Sequence, residues 1–171
     1  MMNFFSQLFR KNEPGLYSIQ TNSMIINKEL FSLIVKTEKL LDDLKRYLDS
    51  DSVSLKEAKL AELENALLNM RSKIDALRHD VQRILDVEIK HKDYVLLNDD
   101  FYLKDKIARI DTMSQVIDEL IDLIGERPAV NDLKEMMSYI YGRINSLVDS
   151  VNNISSDDKR LEEVYSRLKD F

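Results

Sequence analysis

The chain has 171 residues, with 25 Lys and Arg against 31 Asp and Glu, a net charge of −6 and no Cys. Disulfides, thiolate metal sites and Cys nucleophiles are therefore excluded, and the acidic balance argues against a general nucleic-acid binder, which needs a basic face. With only 3 Gly and 2 Pro, and 33% charged residues alternating with apolar ones at helical spacing, the composition predicts an all-helical protein with one sizeable core.

Residues 1–15 form a short N-terminal segment. Met1, Phe4, Phe5, Leu8 and Phe9 share one helical face, Arg10 and Lys11 follow, and Pro14-Gly15 ends it. Such a segment folds onto the end of a bundle or makes peripheral contact with a membrane surface. Residues 16–171 read as a single helical-bundle domain.

The first long helix, from about Tyr17 or Asn22 to Leu48, has a seam of Leu30, Leu33, Thr37, Leu40, Leu44 and Tyr47. Ile26, Phe31, Ile34, Val35 and Leu41 widen the stripe, which indicates at least two neighbours. After a polar turn, Ser54 and Glu57 form a capping box. The second helix carries the most regular seam of the chain: Leu60, Leu63, Leu67, Met70, Ile74, Leu77, Val81 and Ile84, in unbroken steps of three and four. Glu88 and His91 interrupt it before a turn at Asn98-Asp99-Asp100.

The third helix has an expected seam of Leu103, Ile107, Ile110, Ser114, Ile117, Ile121 and Ile124, with Gly125 as its C′ residue and Pro128 as a stop. The fourth starts near Asn131, and Leu133, Met137, Ile140, Ile144, Leu147, Val151 and Ile154 make its seam. The same register continues through Asp158 to Leu161, so one long helix is expected, with a soft spot at residues 152–157. Short connections make successive helices antiparallel neighbours. The predicted architecture is an antiparallel up-down four-helix bundle with long second and fourth helices.

Residues Asp99 to Glu126 hold eight acidic and three basic residues, most of the negative excess. Asp111, Gln115, Asp118 and Asp122 form a polar stripe beside the third seam. Folding the second helix back across Asp99 sets Asp118 opposite Asp80, and Asp122 within a turn of Asp75 and His79. Asp75, His79, Asp80, Asp118 and Asp122 are thus candidate metal ligands. Carboxylates with an imidazole suit Fe, Zn or Mn. The alternative for these carboxylates is a solvated face paired with Lys73, Arg78, Arg83 and Lys134. Glu88-x-x-His91 is half of a di-iron carboxylate motif, and no second half accompanies it. No acid, base and nucleophile converge in the pattern, so a non-enzymatic protein is expected.

Asp118-Glu119-Leu120-Ile121-Asp122, the segment Leu77–Leu85 and the opening Phe4–Lys11 together resemble the PhoU-like family of phosphate-transport regulators. That resemblance implies an antiparallel bundle, metal held through Glu/Asp-x-x-x-Asp motifs, and a protein partner that is a membrane phosphate permease. Where the family would have Glu four residues before Asp in the second helix, this chain has Ala76 before Asp80. A second resemblance, to membrane-remodelling proteins of the ESCRT-III kind, rests on the short amphipathic opening before a long hairpin. A coiled-coil scaffold forming homo-oligomers is the further alternative. No apolar run approaches the roughly 18 residues that cross a bilayer, and the opening lacks a signal-peptide order. The expected location is cytoplasmic, or peripheral at the membrane.

Overall fold

The computed structural model describes residues 15–48, 53–90 and 100–166. The amphipathic opening, the turn before Ser54 and His91 lie outside them, and the Ser54 and Glu88 side chains are also outside the described set. Four helices follow one another: α1 (Leu16–Leu48), α2 (Val53–Lys90), α3 (Asp100–Gly125) and α4 (Val130–Ser166). They have 33, 38, 26 and 37 residues, so α2 and α4 are the longest, as expected, and α3 is clearly the shortest. At ~1.5 Å per residue, α2 is about 57 Å long.

The helices form an antiparallel bundle. α1 packs against α2 and α4, α2 against α3, and α3 more sparsely against α4. α1 and α3 therefore stand diagonally across the core. The pairing is regular. Asn22, Glu29 and Asp43 of α1 meet Asp80, Lys73 and Lys59 of α2, each advance along one helix matched by an equal retreat along the other. One apolar core runs the length of the bundle.

Every predicted seam residue of α2 from Leu60 to Ile84 is buried, and so is every one in α4 from Leu133 to Ile154. α4 runs unbroken through residues 152–157. The continuity has a simple cause: Val151, Ile154, Asp158 and Leu161 keep one face against the core, and this packing outweighs the weak helix propensity of Asn152 and Asn153.

Two helices depart in part from the expected seams. In α1 the expected Leu30, Thr37, Leu40 and Leu44 are buried and are joined by Ile34, Leu41 and Leu48, whereas Leu33 and Tyr47 are half-buried and Phe31 is exposed. In α3 the buried line is Leu103, Lys106, Ile110, Met113, Ile117, Leu120 and Ile124, whereas Ile107, Ser114 and Ile121 flank it. Both lines in α3 have three-four spacing. The observed one brings Met113 and Leu120 inside and carries Lys106 in with them.

Gly125 remains helical, and the left-handed residue is Arg127, with φ 51°. A left-handed L-residue costs about 1 kcal/mol or more. Here the conformation is held by the side chain: the Arg127 guanidinium donates to the Ile124 carbonyl at 2.9 Å and to Glu64 at 2.6 Å. Pro128 then prevents α3 from continuing.

Candidate functional site

The end of the bundle at which α1 and α3 begin and α2 and α4 end contains a buried polar layer. Gln20, Ser23 and Asn27 enter it from α1, Lys106 from α3, and Asp158 from α4, all 2% exposed or less. The Lys106 ammonium is ion-paired with Asp158 Oδ1 and donates to Ser23 Oγ at 3.3 Å. Gln20 Nε2 donates to the same Asp158 oxygen at 3.0 Å. Asn27 Nδ2 donates to Ser155 Oγ at 2.8 Å, one turn along α4. The ion pair thus ties α3 to α4, and the two amides tie α1 to α4.

Beside this layer, Asp80 of α2 is buried at 6% exposure and accepts a 2.6 Å hydrogen bond from Asn22. Four helices therefore all contribute polar groups at this one end.

The layer is not fully satisfied. Gln20 Oε1, Asn27 Oδ1 and Asp158 Oδ2 are buried and have no hydrogen-bond partner among the described residues. A buried acceptor without a donor costs about 1–3 kcal/mol. An ion pair sealed from water also loses hydration that mutual attraction only partly restores. By both measures this end is held less firmly than an apolar core of the same size would be.

The layer was present in the sequence as polar residues at core spacing. Gln20, Ser23 and Asn27 precede Leu30, Ile34 and Thr37 in steps of three and four. Lys106 occupies the step between Leu103 and Ile110, and Asp158 the step between Ile154 and Leu161. Lys106 escapes a reading by hydropathy because lysine is normally placed outward, and its partner lies 52 residues away.

The candidate metal ligands take other places. Asp118 is level with Arg71, not with Asp80: Arg71 Nε donates to it at 2.8 Å, and the same guanidinium is ion-paired with Asp75. Arg78 likewise meets Asp111 at 2.6 Å. The layer of Asp80 with Asp118 is thereby corrected by roughly two and a half helical turns, about 13 Å. The observed register differs from the one that folding across Asp99 predicts. The contacts Arg71–Asp118 and Arg78–Asp111 set the register between α2 and α3. Asp80 faces Asn22 on α1, and His79 is exposed. Asp122 is exposed at a shallow hollow that Glu64, Ile121, Gly125 and Glu126 also line. Among the described residues, no group of three or more His, Asp and Glu side chains converges.

Two carboxylates of the stripe are matched by arginines of α2, Asp111 by Arg78 and Asp118 by Arg71, and outside the stripe Arg143 of α4 meets Glu119 at 2.9 Å. Lys73, named above for this face, pairs with Glu29 of α1. Tyr139 also donates to Glu119, and this bond, with Arg143, holds the Glu119 carboxyl below the usual carboxylate range. Burial and the Asp42 carboxylate beside it push the Tyr141 hydroxyl well above its ordinary value.

The chain matches no family model, no curated protein and no solved structure. No described helix is long and apolar enough to cross a membrane.

Proposed function

We propose that this protein is a non-enzymatic accessory bundle that regulates a protein partner through a change at its polar end. The observation that supports this reading is the buried layer of Gln20, Ser23, Asn27, Lys106 and Asp158. A bundle selected for stability alone gains from filling that layer with apolar residues, by about 1–4 kcal/mol where a buried ion pair is replaced. Polar groups in this position make one end of α4 separable from α1 and α3, while the apolar remainder keeps the bundle intact. A regulator needs such a two-part construction: a partner that binds the separated form better shifts the population toward it.

The class of partner comes from the PhoU-like likeness of Asp118–Asp122 and Leu77–Leu85, and is a membrane phosphate permease. Retention of Fe, Zn or Mn through Asp118 and Asp122 rests on that likeness alone. Metal analysis of the purified protein, before and after Asp118→Ala with Asp122→Ala, tests it.

The central experiment replaces the ion pair by apolar residues, Lys106→Met with Asp158→Leu. The expected protein melts at a higher temperature, exchanges amide hydrogens more slowly in residues 20–27 and 151–161, and no longer modulates phosphate uptake although it accumulates normally. A variant that regulates uptake as the parent does would remove the layer from the mechanism. Unchanged uptake on deletion of the gene would remove the transport role.

A further inference from the structure

Separation of the end of α4 uncovers a groove whose chemistry is set by the residues that stay behind. Lys106 remains on α3, and Gln20, Ser23 and Asn27 remain on α1. Lys106 is the one buried cation among the described residues. Its carboxylate partner is Asp158, since Ser23 is neutral and Asp80, the other buried carboxylate, is bonded to Asn22. Withdrawal of α4 therefore leaves an ammonium without a counter-charge, beside two amides that have lost their acceptors. Ile19 and Leu103 are buried at the same end, so the surroundings of this ammonium are largely apolar.

The covering segment of α4 shows what this groove accepts. Ile154, Asp158 and Leu161 are buried, and Ser155 Oγ accepts from Asn27 at 2.8 Å. The inward face thus reads Ile154-Ser155-x-x-Asp158-x-x-Leu161: an apolar residue four before a carboxylate, a hydroxyl three before it, and an apolar residue three after it. Asp158 receives both the Lys106 ammonium and the Gln20 amide. The segment is an imperfect occupant. It leaves Asp158 Oδ2, Gln20 Oε1 and Asn27 Oδ1 buried without donors, and Asn152, Asn153, Ser155 and Ser156 are weak helix formers. A helix with the same inward groups and a stronger helical propensity would displace it.

We infer that the groove between α1 and α3 binds, in trans, an amphipathic helix of a partner protein that aims one carboxylate at Lys106 between apolar residues four before and three after it. The end of α4 covers this site until the partner takes its place. The inference rests on the separable end proposed above and adds the chemistry of the partner. Charge selects among occupants. A basic helix would bring a second cation to Lys106 in a site closed to water, and a wholly apolar helix would bury the ammonium unpaired. A carboxylate flanked by apolar side chains satisfies both the charge and the surroundings, as Asp158 does within the chain.

The test uses a fluorescent peptide with the sequence of residues 148–166, titrated with the full chain and followed by anisotropy. In the full chain, Leu161→Ala loosens the covering segment without altering α1 or α3, and should tighten peptide binding about thirtyfold or more relative to the parent. Asp158→Ala within the peptide should weaken binding about thirtyfold or more, whereas Asp157→Ala within the peptide should change it by less than about fivefold. These peptide substitutions leave the chain untouched, and the parent chain at higher concentration serves if Leu161→Ala fails to fold. Bound peptide should slow amide exchange in residues 19–27 and 103–110. Equal binding of the parent and Asp158→Ala peptides overturns the inference, as does protection confined to other residues. Fast local exchange at residues 151–161 of the Leu161→Ala chain without peptide binding overturns it while leaving the separable end in place. Exchange there by global unfolding alone removes the separable end, and this inference with it.

Discussion

The two ends of the bundle are built from different materials. At the end where α1 and α3 finish, Leu41, Leu44, Leu48, Leu60, Leu63, Ile124 and Leu133 meet without a polar atom among their side chains. At the other end, Gln20, Ser23, Asn27, Asp80, Lys106 and Asp158 share the interior with Ile19, Ile84, Leu103 and Leu161. The difference shows that burial and firmness are separate quantities. Lys106 is as deeply buried as Leu60, yet its contribution depends on two particular polar partners, Asp158 and Ser23, whereas Leu60 is held by non-directional contacts.

The sharpest way to break the comparison is to remove one partner. Lys106→Ala leaves Asp158 buried with Gln20 as its remaining side-chain donor, and should cost about 3–5 kcal/mol in denaturant unfolding. Leu63→Ala at the apolar end should cost about 2–5 kcal/mol, through lost transfer energy and the cavity left behind. The single substitutions are thus alike in size. Removing both partners separates the ends: Lys106→Met with Asp158→Leu should be neutral or stabilising by about 1–4 kcal/mol. A double variant as unstable as Lys106→Ala would show that the layer is a firm part of the core.

The connection after α3 offers a smaller test. Arg127→Gly relieves a positive φ, worth about 1 kcal/mol, and loses the bonds to Glu64 and Ile124, worth a comparable amount. A melting temperature close to the parent's is expected, whereas a marked loss would identify the guanidinium as the lock of that turn.

The smallest effect concerns Glu119, whose carboxyl is held low by Tyr139 and Arg143. Its folded-state value lies below the unfolded one. The stability it supplies is therefore present above the usual carboxylate range and disappears as pH falls through the depressed value. Tyr139→Phe should raise the Glu119 titration midpoint, read by NMR, with little change in melting temperature because the cluster is solvent-exposed.

The sequence made much of the fold legible and less of the site. The seams of α2 and α4 were readable because leucines, isoleucines and valines recur there without competition. In α3, Ile107, Ser114 and Ile121 competed with Lys106, Met113 and Leu120 at equal spacing, and local hydropathy favoured the set that proved to be the flank. The acidic residues of α3 could be recognised as one stripe. Their partners could not, because a shift in register moves every cross-helix contact and periodicity along one helix carries no information about that shift.

What the sequence determined by itself is the set of helices, their order and most of their inward faces, since these follow from three-four spacing and from short connections. The tertiary structure alone decided the register between helices and the rotation of α3. Those two settings bring Lys106 to Asp158 across 52 residues and set Arg71, not Asp80, against Asp118. The physical reason is that burial is a property of one helix against an average interior, whereas an ion pair requires two particular atoms to arrive at the same place.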